Sequence, residues 1–255
     1  MKNIAIISGA SSGMGKKFCE LLDAEGFDEI WGIALKNQGL VDLKNEIKTP
    51  VKIFAGDLTT DKFFSDFSQT LSDEKPNVLF LANCSGFGKF GRYDEINILD
   101  SLNMIDLNCK SLVHMTEMVL PFMTTGARIV QIASVAAFQP VPFANVYAAS
   151  KAFVLSYSRA LNVELKPRKI SVTTVCPYWT KTQFFKRAVN PQNNTIKKYV
   201  VMYDPQKVIS KALKDAKKRK ELSIYGFIAR SQVRLVKMFP HKLVMKIWTS
   251  QQKLK

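Results

Sequence analysis

Short apolar runs recur along the chain, separated by longer stretches in which apolar residues return every three or four positions. The runs Asn3–Ser8, Glu29–Leu35, Val51–Ala55, Val78–Ala82, Arg128–Ala133 and Ile170–Val175 have strand length and are rich in Ile, Val and aromatic residues. Continuous rather than alternating apolar character predicts strands covered on both faces, and helical crossovers between such strands enforce parallel pairing. The predicted fold is therefore α/β: a doubly wound parallel sheet of Rossmann type inside a three-layer sandwich.

Beyond Val175 the pattern changes to a loop rich in aromatic and polar residues, spanning 177–203. Asp204 and Pro205 then supply a cap and first turn for a helix reaching about Lys220, and a last short strand is predicted near Leu222–Tyr225. From Phe227 onward two amphipathic stretches flank Pro240, with Arg230, Arg234 and Lys237 on one basic stripe. This predicts one domain over 1–226, carrying the substrate loop, and a basic amphipathic C-terminal extension over 227–255. A chain of 255 residues, 47% hydrophobic, is long enough to bury one core of this kind.

Composition narrows the setting. Cys19, Cys84, Cys109 and Cys176 lie far apart with no CxxC spacing, which argues against a disulfide framework or a zinc site and fits a reducing cytoplasm. No metal site is expected. The N-terminus lacks the layout of a secretion signal, and no run of about 18 apolar residues predicts a membrane span. Residues 1–180 hold 18 Lys and Arg against 18 Asp and Glu, whereas 181–255 hold 19 against 3, so the whole excess of +16 lies in the last third. No nucleic-acid module accompanies that charge, so nucleic acid is not an expected partner. The basic helices could close over a pocket, hold an anionic tail of a substrate, or touch anionic membrane from the cytoplasmic side.

The first strand runs into Ser8-Gly9-Ala10-Ser11-Ser12-Gly13-Met14-Gly15, followed by helical sequence. Glycines permit a tight turn and close backbone approach, and free N–H groups at the following helix favour a pyrophosphate. The GxxxGxG spacing resembles the short-chain dehydrogenase/reductase family, with hydroxysteroid dehydrogenases and ketoacyl reductases among the relatives it brings to mind. The resemblance extends through Gly56-Asp57-Leu58 after the third strand, where the family's Asp touches adenine. It continues through Asn83-Cys84-Ser85-Gly86 after the fourth, which is similar to the family's NNAG with two departures.

Asn108, Ser134, Tyr147 and Lys151 then match the family's catalytic Asn-Ser-Tyr-Lys tetrad. Tyr and Lys four apart on a helix share a face. An ordinary tyrosine has a pKa of about 10, and lowering it by about three units needs roughly 4 kcal/mol. One charge at about 4 Å in an effective dielectric of about 20 supplies that much, so Lys151 is expected to prime Tyr147. The resemblance implies that Tyr147 exchanges a proton with the substrate oxygen, that Ser134 hydrogen-bonds the same oxygen, and that Lys151 holds the nicotinamide ribose. It gives Asn108 a relay water to anchor.

Cys176-Pro177-Tyr178-Trp179-Thr180-Lys181-Thr182 resembles the family's PGxxxT stretch, with Tyr178 in place of the glycine. The resemblance assigns cofactor contacts to Gly9, Ser11, Ser12, Gly13, Met14, Gly15, Asp57, Leu58, Asn83, Tyr147, Lys151, Pro177, Thr180 and Thr182. After the second strand, Leu35 stands where NAD-preferring relatives carry an acid, and Lys36 follows, so NADP(H) is expected over NAD(H), with Lys16 or Lys17 assisting. Phe138, Phe143, Tyr178 and Trp179, with Ser134 and Tyr147, are expected to line an apolar pocket for a small-molecule carbonyl or alcohol such as a steroid, bile acid or acyl chain. The competing reading is a nonenzymatic dinucleotide sensor or scaffold. Family likeness implies a homodimer or homotetramer.

Overall fold

The computed structural model describes residues 1–189, 195–196 and 198–254. The substrate-loop segments 190–194 and 197, and residue 255 of the extension, lie outside the described residues. The elements are β1 (Asn3–Ser8), α1 (Gly13–Leu22), β2 (Glu29–Ala34), α2 (Gln38–Glu46), β3 (Val51–Ala55), α3 (Asp61–Glu74) and β4 (Asn77–Asn83). There follow α4 (Ile98–Ile105), a π-turn over Asp106–Lys110, α5 (Ser111–Val119), β5 (Met123–Ile132) and α6 (Asn145–Glu164). The last are β6 (Ser171–Val175), α7 (Phe184–Ala188), α8 (Pro205–Lys217), β7 (Leu222–Ser223), α9 (Phe227–Met238) and α10 (His241–Gln252).

All seven strands pair in parallel, in the order β3-β2-β1-β4-β5-β6-β7. Along β1 the side chains alternate between two cores. Ile4 and Ile6 meet Phe63 and Phe67 of α3, Met115 of α5 and Leu161 of α6, while Ala5 and Ile7 meet Phe18 of α1, Leu40 of α2 and Ile209 of α8. A strand with no wet face must be apolar at every position, which is why the runs do not alternate. The doubly wound three-layer sandwich expected from the sequence is the architecture observed.

The direction in which successive strands are added reverses between β1 and β4, one half growing outward through β2 and the other through β5. The carboxyl ends of these two strands cannot be bridged by a crossover, so a crevice is left there. Ser8, the last residue of β1, holds it open: its Oγ accepts from the backbone N–H groups of Cys84 and Ser85, each at 3.0 Å. Phe80 stiffens β4 just before that crevice, packed against Phe18 and Phe27 with the Arg128 guanidinium 5.3 Å from its ring. Phe80→Ala is expected to cost about 3–5 kcal/mol in urea unfolding while retaining the native far-UV spectrum, because a wholly buried ring leaves a void the sheet cannot collapse.

Candidate active site

Two clefts open at the carboxyl edge of the sheet and merge at Met14, Cys84, Gly86, Thr182 and Phe184. The first is built on the turn between β1 and α1. Gly9 has φ +69°, and a Cβ on Gly15 would lie 2.2 Å from the Gly9 carbonyl oxygen, so only glycine allows this turn to close beneath the start of α1. Ser11, Ser12, Gly13 and Met14 line the same cleft, with Leu35, Asp57, Leu58 and Thr182 around it. Asp57 Oδ1 accepts from the Thr59 N–H at 2.9 Å and the Thr59 hydroxyl at 2.8 Å, which fixes the turn after β3. A long crevice with a glycine-shaped floor, a helix start and few side chains in the way fits a dinucleotide.

The second cleft is open to solvent at its mouth, and its empty space together with that mouth comes to about 1120 Å³. Its inner wall carries Ser134, Tyr147 and Lys151. Ser134 sits where β5 runs into a 3₁₀ turn over Val135–Phe138, and its Oγ accepts from the Ala136 N–H at 3.1 Å. Tyr147 and Lys151 lie one turn apart on α6, as their spacing requires. Asn108 lies in the π-turn, where the extra residue swings it toward α6. Its amide donates to Phe87 O at 2.9 Å and Ser150 Oγ at 3.0 Å, and its Oδ1 accepts from the Phe87 N–H at 3.1 Å. Both of its donors are thereby used, leaving one lone pair on Oδ1 for a water. A Cβ at Gly86 would meet Asn108 Oδ1 at 2.8 Å and Lys151 Nζ at 3.3 Å, so this glycine admits both polar groups to the junction.

The electrostatics differ from the expectation that Lys151 lowers the Tyr147 pKa. The ammonium stands 6.0 Å from the Tyr147 ring centroid and donates to the Ile132 carbonyl at 2.9 Å. Burial dominates both groups. It pushes the Tyr147 phenol up to about 12, opposed by a hydrogen bond with Ser134, and pulls Lys151 down to about 8, opposed by the thiols of Cys109, Cys84 and Cys176. In a low-dielectric pocket the charged form of each side chain is the costly one, and a single lysine at this distance does not outweigh that cost.

Several residues fall elsewhere than their sequence positions suggest. Asn83 turns inward, its Nδ2 donating to Thr116 Oγ1 at 2.9 Å and Gln131 Oε1 at 3.0 Å, so the cleft wall there is Cys84-Ser85-Gly86-Phe87. Phe138 packs beneath α9 with Lys237 Nζ 5.0 Å from its ring, and Phe143 is held at φ +66° with its carbonyl bound to the Gly91 N–H; neither lines the cavity. Lys36 is exposed beyond the cleft edge. Lys16 and Lys17 are paired with Glu46 and Glu20. Pro177, Tyr178, Trp179 and Thr180 do line the cavity, and Tyr178 takes the family glycine's place without positive φ.

Other cavity walls were not read from the sequence. Phe90 stands edge-on to Tyr147 and Trp179. Trp248 and Gln252 arrive from α10: Trp248 Nε1 donates to Pro142 O, and the Gln252 carboxamide bonds both the N–H and the carbonyl of Lys198, all at 3.0 Å. The amphipathic period of the tail signalled a packed helix but not what it packs on. In the dinucleotide cleft, the Arg187 guanidinium lies 3.6 Å from the Phe87 ring centroid. Among the described residues no three His, Cys, Asp or Glu side chains gather where they could hold a metal, and no helix is long and apolar enough to cross a membrane.

Residues 3–193 match the family model of short chain dehydrogenases, and the chain belongs to that family. It is an NAD(P)-dependent dehydrogenase or reductase. Sulfoacetaldehyde reductase 2 of Chromohalobacter salexigens is 31% identical over 193 residues, which cover 72% of this chain and 75% of that one. The 17-beta-hydroxysteroid dehydrogenase type 3 of Mus musculus is 29% identical over 206 residues, 77% of this chain and 66% of that one. A short-chain dehydrogenase from Sphingobium yanoikuyae, solved in complex with NADPH, superposes with a TM-score of 0.76 at 25% identity, covering 93% and 95% of the two chains.

The lowered Lys151 pKa sets a testable pH signature. Between about pH 8 and the ordinary lysine value of 10.5 the unfolded chain binds more protons than the folded one, so stability contributed by this group rises with pH across that window. Denaturant unfolding from pH 7.5 to 10 should show a slope of up to about 1.4 kcal/mol per unit in the parent that Lys151→Met lacks.

Proposed function

We propose that this enzyme transfers a hydride between NADP(H) and a carbonyl or secondary alcohol on a predominantly apolar substrate, such as a steroid, a bile acid or an acyl chain. The observation that carries this reading is the meeting of two clefts beside Tyr147: one floored by glycine backbone, the other walled by Phe90, Val141, Trp179, Phe184, Phe185 and Trp248. A nonenzymatic sensor would use the first cleft but would gain nothing from the second.

The bound nicotinamide would supply the hydride, and its oxidised form adds positive charge to the junction. In this role Ser134 hydrogen-bonds the substrate oxygen and the Tyr147 phenol donates its proton to that oxygen in reduction or removes it in oxidation. Lys151, fixed by the Ile132 carbonyl, would hold the nicotinamide ribose. Asn108 acts as a positioning residue that ties the Phe87 loop to α6 through Ser150, with one lone pair left for a relay water. Cofactor contacts fall to Gly9, Ser11, Ser12, Gly13, Met14, Gly15, Asp57, Leu58, Thr180 and Thr182.

NADP(H) is favoured because no carboxylate follows β2: Leu35 borders the cleft, and the exposed Lys36 that comes next is a cation suited to a 2′-phosphate. A homo-oligomer, dimer or tetramer, belongs to the same reading, supported by the exposed Ile98, Leu99, Leu102 and Ile105 of α4.

Tyr147→Phe should lower ketone reduction, followed as loss of reduced-nicotinamide absorbance, by about three orders of magnitude or more, on the scale of a lost general acid. Its NADPH affinity, measured by fluorescence titration, should stay within a few-fold; turnover at the parent rate would remove the assigned role. Lys36→Ala should weaken NADPH about ten-fold and NADH hardly at all, the difference expected for one exposed charge on a phosphate. Equal changes for the two dinucleotides would discard the 2′-phosphate contact.

A further inference from the structure

The C-terminal helices have two sides, and the active site uses one. Residues 222–254 contain no Asp or Glu, yet they include Arg230, Arg234, Lys237, Lys242, Lys246 and Lys253. On α9 the core takes Ala229, Val233 and Val236, while Phe227 and Met238 are each 75% exposed and Leu235 52%. Helical spacing sets Phe227, Leu235 and Met238 on one outer ridge, with Arg230 and Arg234 beside it. On α10, Val244 and Gln252 are buried, whereas Leu243 and Ile247, one turn apart, are exposed next to Lys242 and Lys246. Phe239 in the connection is exposed too. Among the described residues, none of Arg230, Arg234, Lys242 or Lys246 pairs with a carboxylate.

Large apolar side chains held in water beside unpaired cations, with no acid among them, form a surface complementary to a layer that is apolar below and anionic above. A second copy of this chain seated on the same face would bring cations against cations. A nucleic-acid backbone would leave the leucines and phenylalanines unburied. We propose that the outer face of α9 and α10 docks on an anionic lipid bilayer, Leu243 and Ile247 entering the interface and Lys242 and Lys246 meeting lipid phosphates and carboxylates. The inner side of α10 contributes Trp248 and Gln252 to the substrate cavity, so the docked helix stands between bilayer and cavity. The substrate class that suits this arrangement is a carbonyl compound dissolved in lipid. That last step rests on the proposed reductase reading; the docking does not.

The test is sedimentation of the full chain with vesicles of phosphatidylcholine alone or mixed with phosphatidylserine. The parent should pellet with the mixed vesicles at low salt and stay in solution with phosphatidylcholine alone. Lys242→Gln with Lys246→Gln should weaken partitioning roughly thirty-fold, the effect of two cations near an anionic surface. Leu243→Glu with Ile247→Glu should abolish pelleting, and both pairs should keep the parent's melting temperature and its reduction of a water-soluble ketone. Undiminished pelleting of the Glu pair, or a parent that ignores anionic vesicles, overturns the proposal. So does sedimentation velocity showing that the Glu pair converts an oligomer to a monomer while vesicle binding persists. Pelleting by a protein that reduces no ketone would sustain the docking and remove the reductase reading.

Discussion

The structure turns on an ammonium buried without a counter-ion. Lys151 is 5% exposed, no carboxylate pairs with it among the described residues, and its fixed partner is the Ile132 carbonyl at the end of β5. Such a group is costly in the folded chain, and folding tolerates it because the same helix brings Ser150 to Asn108 and Leu155 and Leu161 to the core. Its lowered pKa and the raised pKa of Tyr147 have one origin, desolvation in the inner wall of the second cleft. Charge arriving at that junction therefore meets little screening, and a small displacement of a positive group moves both titrations. A site in which burial raises the cost of the charged form of both the acid and its neighbouring amine is set to respond to what enters it.

The elements that carry chemistry were legible because their spacing is chemical. A glycine is needed at positions 9 and 15 by backbone contact alone, and Tyr147 and Lys151 share a helix face wherever that helix packs. The parallel sheet was legible for a related reason, since a strand covered on both sides leaves a run with no polar alternation. What the sequence could not reveal was direction. Phe138 and Phe143 lie between Ser134 and Tyr147 as a pocket residue would, yet the 3₁₀ turn aims one under α9 and a left-handed backbone fixes the other on Gly91. Asn83 sits at the end of a strand that points into the crevice, but its amide is claimed by Thr116 of α5 and by Gln131 of the neighbouring strand β5. Trp248 lies 106 positions along the chain from Pro142, whose carbonyl it bonds. Each of these outcomes depends on a tertiary partner, and one chain read linearly does not name partners.

The same distinction applies to the Tyr147–Lys151 pair. Helical spacing fixes which residues face each other but not how far a flexible lysine reaches, and Lys151 extends to a carbonyl rather than to the phenol. At 6.0 Å from the ring, in a pocket that penalises every charge, desolvation outweighs attraction for both groups. A spacing argument can establish that an interaction is available; only the competing hydrogen bonds decide whether it is taken.

Charge balance along the chain divides along the same structural line. The first 180 residues, which build the dinucleotide cleft and most of the sheet, carry equal numbers of acids and bases, and their lysines are commonly paired, as Lys16 with Glu46 and Lys17 with Glu20. Part of the excess sits on α7, α9 and α10 around the second cleft, and part on α8, which packs against α1 and β6. A helix that must close an apolar cavity needs an apolar inner side, supplied on α10 by Val244 and Trp248, and its outer side would be expected to be uniformly polar if water were its only neighbour. Leu243 and Ile247 break that rule while Lys242 and Lys246 follow it. The bilayer docking proposed above gives that exposed row of α10 a neighbour, and the absence of any acid from residues 222–254 matches an anionic one.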